Sequence, residues 1–166
     1  MRTRRTLLAC LALSATLGLG ACGFSPMYAN NGTAATLSDF TIVTGEERVD
    51  FLLQQALQDS MGARDGDGTY ELRAETRQSS IPLGIGADAV VRRYTIELTV
   101  NYEVFRTGAV DPVMSGSARG SASYDLSNSP YAALVSEQDA EERAARMAAD
   151  RITAQLLRAI NSMEGA

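Results

Sequence analysis

The sequence predicts an α+β domain of order β-α-β-β-β-α: a four-stranded, mainly antiparallel sheet with two helices packed on one face. Three observations predict it. Two segments, 44–62 and 129–163, repeat apolar side chains at helical spacing. In "RRYTIELTVNYEVFR", Tyr94, Ile96, Leu98, Val100, Tyr102 and Val104 alternate with Thr95, Glu97, Thr99, Asn101 and Glu103, the period of a strand with one wet face. In "VMSGSARGSASYDL", Met114, Gly116, Ala118, Gly120, Ala122 and Tyr124 share a face of mostly small residues, which invites a helix to lie close. One-sided helices and one-sided strands bury their apolar faces by stacking in two layers.

The elements follow in order from the amino terminus. "MRTRR" and the apolar run "LLACLALSATLGLG" form the basic and hydrophobic regions of a secretory signal peptide, residues 1–21, which takes Cys10 with it. The run is too short for a comfortable transmembrane helix. Leu19, Gly20 and Ala21 ahead of Cys22 resemble the bacterial lipobox, a leucine and two small residues before an obligatory cysteine. That resemblance implies lipid attachment at Cys22, cleavage before it, and, with Gly23 rather than Asp following, sorting to the outer membrane. Several acyl chains at about 0.8 kcal/mol per buried CH2 anchor firmly where one chain binds reversibly.

Residues 22–35 then read as a lipidated tether, "GFSPMYANNGTAA" carrying Pro, Asn and Gly without periodicity. A single domain is expected over residues 36–166. "LSDFTIV" (37–43) is its first strand, with Leu37, Phe40 and Ile42 as its apolar members. Thr44 with Glu47 forms a capping-box pattern for a helix whose stripe is Val49, Leu52, Leu53, Ala56, Leu57 and Met61, ended by Gly62. "TYELRAETRQSS" is a strand with one charged face, followed by the two strands already described. Ser129 and Pro130 open the last helix as N-cap and first residue, with Ser136 and Asp139 as a second starting point. Its inward stripe is Ala140, Ala144, Met147, Ala148, Ile152, Leu156, Ala159 and Met163; Glu141, Glu142, Arg143, Arg146, Asp150 and Arg151 are expected to face water.

The composition closes off most chemistry. The 166 residues contain no His and no Lys, so all 15 basic residues are Arg. Ser-His, Cys-His, Ser-Lys and Schiff-base systems are thereby excluded. With Cys22 spent on lipid, thiolate metal sites are excluded too. No catalytic residue, metal or cofactor is expected. Glu71 with Glu75 and Glu97 with Glu103 lie on solvated strand faces and read as surface charge rather than acid/base pairs. Removal of residues 1–21 leaves 12 Arg against 20 acidic residues, net −8, which opposes nucleic-acid binding. "PLGIGADA" (82–89) holds a Gly-x-Gly, but it joins two strands and reads as a hairpin loop, not a phosphate cradle. Its Ile81, Leu83, Ile85 and Val90 suit either a partner surface or a loosely ordered hairpin. If the flanking strands pair around this loop, Arg73, Arg77, Arg92 and Arg93 could gather near one end. Arg forks bind phosphate bidentately; cross-strand pairing with Glu71, Glu75 and Glu97 is the competing use.

"CGFSPMY" after the lipobox, "RRYTIELTVNYEVF", and "SASYDLSNSPYAALVSEQDAEERAARMAADRITAQLLRAI" together resemble the lipopolysaccharide-assembly lipoprotein family (LptE), most of all its alphaproteobacterial forms. The resemblance covers nearly the whole mature chain, with Met27 where the family commonly has Leu. It implies a non-enzymatic lipoprotein seated inside the large outer-membrane β-barrel (LptD-like) that delivers lipopolysaccharide to the cell surface. There it would act as plug and assembly partner and bind lipopolysaccharide, held by its lipid anchor and facing the periplasm and barrel lumen. The four arginines are candidates for lipid phosphates by their chemistry, not by alignment to family residues. Two rivals remain: another periplasm-facing lipid-binding or transport-accessory lipoprotein, which needs a sizeable apolar cavity, and an envelope hydrolase, which needs two converging acids.

Overall fold

The computed structural model describes residues 36–63, 66, 68–85 and 91–164. Cys22, the signal peptide and the tether lie outside the described residues. Four strands, β1 (Phe40–Val43), β2 (Tyr70–Ile85), β3 (Val91–Arg106) and β4 (Met114–Asp125), stand side by side in chain order. Among the described residues the two long helices are α1 (Arg48–Met61), between β1 and β2, and α2 (Pro130–Glu164), after β4. β1 pairs with β2 in parallel; the other two pairings are antiparallel. Both helices cover one face, as the sequence predicts.

Period-two burial fixes which face that is. The even-numbered residues of β3 from Ile96 to Val104 turn inward, and all are 3 % exposed or less. They meet Leu53 and Leu57 of α1 and Ile152, Leu156 and Leu157 of α2, each essentially inaccessible to solvent. Burial of each such side chain contributes about 1.5–3 kcal/mol. The 35 residues of α2 extend about 52 Å at 1.5 Å each. The 16-residue strands match it at about 53 Å. One helix therefore spans the full length of the sheet.

The small face of β4 sets how closely α2 lies. A Cβ at Gly120 would run into the Ala144 carbonyl oxygen, and Ala118, Ala122, Ala140, Ala144 and Ala148 are buried around it. Gly116 sits opposite Tyr102 in the register, and a Cβ there would fall 2.5 Å from the Tyr102 hydroxyl. The ring of Tyr102 thus lies over its glycine partner and reaches α2, where its hydroxyl donates to Gln155 Oε1 at 2.6 Å. Burial pushes that phenol above its ordinary pKa, while the Arg158 charge pulls it partway back.

Several boundaries differ from the sequence reading. Leu37 sits on a helical turn at 36–38, closed by Asp39 N–H donating to the Thr36 carbonyl, and β1 begins at Phe40; Leu37 is still buried. The start of α1 moves from Thr44 to Glu47. Asp50, three residues into the turn, accepts from Glu47 N–H at 3.1 Å and from Thr76 Oγ1 at 2.5 Å. A carboxylate that both caps the helix and ties it to β2 outcompetes the Thr44–Glu47 pattern. Gly62, at φ 65°, ends the helix in the left-handed conformation.

β2 runs through Pro82 and Leu83 to Ile85, so half of the expected loop is strand. The backbone of Thr69 accepts from Thr107 N–H, which makes the odd-numbered residues of β2 the ones bonded to β3. Pro82, even-numbered, turns its missing N–H to the open edge and breaks no rung.

On α2, Met147 is 38 % exposed, whereas Ala145, Ala149, Thr153 and Leu157 are buried, because α2 packs against α1 as well as the sheet. The side chain of Met163 lies outside the described residues. Glu141, expected in water, is half-buried between Arg48 of α1, 3.1 Å away, and Gln78 of β2, whose Nε2 donates to it.

Two stability measurements check this packing. Gly120→Val is expected to lower unfolding free energy by at least about 1–3 kcal/mol, the range for overpacking, because the obstacle is helix backbone. Asp50→Ala is expected to lose about 0.5–2 kcal/mol of cap energy, visible as a lower denaturant midpoint.

Candidate functional site

The face of the sheet opposite the helices carries no covering element among the described residues. From β2 it displays Glu71, Arg73, Glu75, Arg77, Ser79 and, nearer the hairpin, Ile81 and Leu83. From β3 come the odd-numbered residues Arg93 to Glu103, and from β4 a serine-rich row interrupted by Arg119. This surface is polar because each strand alternates, and alternation on three long strands in one register adds up to a broad plate. A shallow depression of about 570 Å³ lies on it, lined in part by Arg73, Glu75, Asn101, Glu103, Ser115 and Ser117.

The four arginines singled out from sequence do not gather. Arg73 stands opposite Glu103, while Arg93 stands opposite Leu83, ten residues further along β2 and so about 33 Å away. Arg77 lies between them on the same face, opposite Thr99. Arg92, one residue from Arg93, takes the helix face by the same alternation. The sequence shows that these residues flank a hairpin; it does not show how far β2 continues before turning.

Their electrostatic engagement also differs. The guanidinium of Arg73 meets Glu71 at 2.5 Å and lies 4.3 Å over the Phe105 ring. Arg93 grips Asp125 with two hydrogen bonds, of 2.7 and 3.1 Å. Hydrogen bonding to Arg93 holds the Asp125 carboxyl below the usual range, and the same contact raises the Arg93 pKa. Arg77 is exposed and pairs with no carboxylate of the described residues. Across Thr99 from it stands Arg119, which sequence reasoning did not place there; Arg119 lies 3.7 Å from Glu97. Only the β3–β4 register puts Arg77, Thr99 and Arg119 in one row, and no local motif announces it.

Two other regions are chemically distinct. At the end where the chain enters, an apolar cleft of about 440 Å³ lies between the last turns of α2 and the sheet, lined by Thr36, Phe40, Tyr70, Met114, Leu156 and Ile160 among others. At the opposite end, Ile81 and Leu83 are exposed on the open face, and Leu126, Tyr131, Leu134 and Val135 are exposed around the start of α2. The side chains of Ile85 and Val90 lie outside the described residues. No group of three or more metal-ligating residues occurs among the described residues. No helix among them is long and apolar enough to cross a membrane.

Comparison with known proteins follows this geometry. A crystal structure from Caulobacter crescentus CB15, of a chain assigned as a lipoprotein, superposes with a TM-score of 0.70 at 27 % identity, covering 80 % of this chain and 97 % of its own. The rare lipoprotein B of Shewanella oneidensis is similar at 15 % identity and TM-score 0.46 over 75 % of this chain and 95 % of its own. A minor lipoprotein of Acinetobacter baumannii is similar at 16 % identity and TM-score 0.49 over 75 % and 91 %. No curated protein matches the chain. The family model described as lipopolysaccharide-assembly, LptE, matches residues 33–156, from before the first strand to the last turns of α2, and the chain belongs to that family.

Proposed function

We propose that this chain is an outer-membrane lipoprotein that serves as plug and assembly partner of the lipopolysaccharide-translocating β-barrel, lipidated at Cys22 and contacting lipopolysaccharide. Membership of the LptE family carries the reading and supports a role in lipopolysaccharide assembly without enzymatic chemistry. The described surface agrees with it. A plug in a barrel lumen meets polar walls, since barrel interiors alternate with lipid-facing residues and are hydrophilic. The open face of β2, β3 and β4 is a rigid polar plate backed by the whole core, suited to such a wall. A lipid anchor is the expected attachment for a chain of this family.

The alternative, another lipid-binding or transport-accessory lipoprotein, is favoured by one feature, the apolar cleft beside Ile160. Its volume falls in the range of small-ligand sites.

Affinity capture of the lipidated protein from outer membranes separates the two. Recovery of a large barrel protein in equal amount is expected. Recovery of the protein with bound lipid and no barrel in mild detergent overturns the plug reading in favour of the alternative.

Among the four candidate arginines for lipopolysaccharide phosphates, Arg77 is the strongest, being exposed and without a carboxylate partner among the described residues. Arg73 and Arg93 are already engaged by Glu71 and Asp125, and Arg92 turns to the other face. Arg77→Glu is expected to weaken lipopolysaccharide binding roughly tenfold or more, the value of a charge-assisted contact. Arg73→Glu is expected to weaken it less. Titration of both folded variants with lipopolysaccharide gives the comparison, and equal affinity for Arg77→Glu and the unaltered chain removes Arg77 from the site.

A further inference from the structure

β4 is an edge strand of 12 residues, about twice the usual strand length, with Arg119 and Asp125 as its only charged residues. Long, small-residue, weakly charged edges are templates for pairing with another chain. Leu126 N–H donates to the Arg92 carbonyl, which sets the parity of the ladder: even-numbered β4 residues bond to β3, and odd-numbered ones point their carbonyls outward.

Three of those outward carbonyls are occupied by side chains of α2. Arg143 Nη2 donates to the Ser123 carbonyl at 3.1 Å, Arg151 Nη1 to the Arg119 carbonyl, and Gln155 Nε2 to the Ser117 carbonyl at 3.1 Å. The spacing is commensurate. Four helical residues advance about 6 Å, and two strand residues about 6.6 Å. Donors placed four or eight apart along α2 therefore stay level with carbonyls two or four apart along β4. Met147 occupies the intervening helical position, level with Ser121. The glycine and alanine face of β4 brings α2 close enough for side chains to curl over the edge. Tyr102 fixes the Gln155 amide by donating to its oxygen.

We infer that α2 guards the β4 edge: Arg143, Arg151 and Gln155 occupy the outward carbonyls and exclude the β4 strand of a second copy of this chain. The second copy is the occupant that β4 itself fits. An antiparallel pairing centred on Ala122 sets Arg119 of each copy opposite Asp125 of the other, with Ser121 opposite Ser123 between them on the same face and Tyr124 over Gly120 on the other. This guard is separate from the barrel and lipopolysaccharide roles proposed above, and its test does not depend on them.

The full chain carrying Arg143→Ala, Arg151→Ala and Gln155→Ala, purified in detergent, is compared with the unaltered chain by sedimentation equilibrium and by amide hydrogen exchange across 115–125. The guardless variant is expected to self-associate roughly tenfold or more tightly, the worth of a few edge hydrogen bonds, with new protection of outward β4 amides. Arg146→Glu changes the charge of α2 by the same amount on its solvent side, where Arg146 pairs with Glu142, and it is expected to behave as the unaltered chain. A guardless variant that keeps its helical signal and stays monomeric overturns the inference, as does equal association of the charge control. Should the triple change unfold the chain, Arg143→Ala with Arg151→Ala, which leaves Gln155 on Tyr102, is measured and judged in the same way.

Discussion

The close seating of α2 on β4 is the contact on which the rest of the molecule depends. Gly120 opposite the Ala144 backbone, with alanines on both elements around it, lets the helix lie nearer the strand than branched side chains would permit. Tight packing of this kind gains many weak dispersion contacts and tolerates little added volume. From that seating follow the burial of the even-numbered β3 row, the reach of Gln155 to Tyr102, and the position of α2 against α1. Thr153 and Ser60 close the helix pair with a hydroxyl contact of 2.8 Å, so the one buried hydroxyl in the middle of α2 has a partner.

Because both helices sit on one face, the other face is mainly polar, with Ile81 and Leu83 as apolar exceptions at one end. The charged residues there are mostly reconciled locally: Arg73 with Glu71, Arg93 with Asp125, Arg119 near Glu97. Exposed pairs of this kind add little to stability and are weakened by salt. Their effect is to neutralise the plate residue by residue while leaving hydrogen-bonding groups on display. Arg77 departs from this pattern, which is why it is the residue on that face most available to an incoming anion.

How much of this was legible follows from the range over which each signal acts. The β3 strand and the small face of β4 were readable because alternation is a local property, and the helix expected over that face is there, its backbone against Gly120, while the Tyr102 ring covers Gly116. Family membership was readable from the cysteine-linked start and the C-terminal half taken together. The cap of α1 was misplaced by three residues, since the side chain that decides it, Asp50, is held by Thr76 on a strand 26 positions away. The length of β2 was underestimated because Pro82 reads as a breaker unless one knows that its nitrogen faces an edge. The arginine gathering failed for the same reason: a longer β2 and β3 carry Arg73 and Arg93 far apart. Burial of Ala145 and Ala149 was missed because one stripe was assigned to a helix that packs on two neighbours.

The two ends of the sheet then acquire different characters. Thr36 stands beside Tyr70, Arg106 and the apolar cleft, while Ile85 and Val91 pair at the far end of strands about 50 Å long. On the proposed reading, the chain is anchored at Cys22, fourteen residues before Thr36. Ile81 and Leu83 on the open face, and Tyr131 and Leu134 at the start of α2, are exposed at the end of the sheet opposite Thr36. Between the ends, the polar plate is the broad surface that neither helix covers, and the β4 edge is taken up by α2, while the β2 edge beyond β1 stays open among the described residues. On the proposed reading, a domain that fills its inner face with helices, lines its β4 edge with arginine and glutamine side chains, and leaves the opposite face mainly polar offers that face to the hydrophilic wall of a barrel lumen.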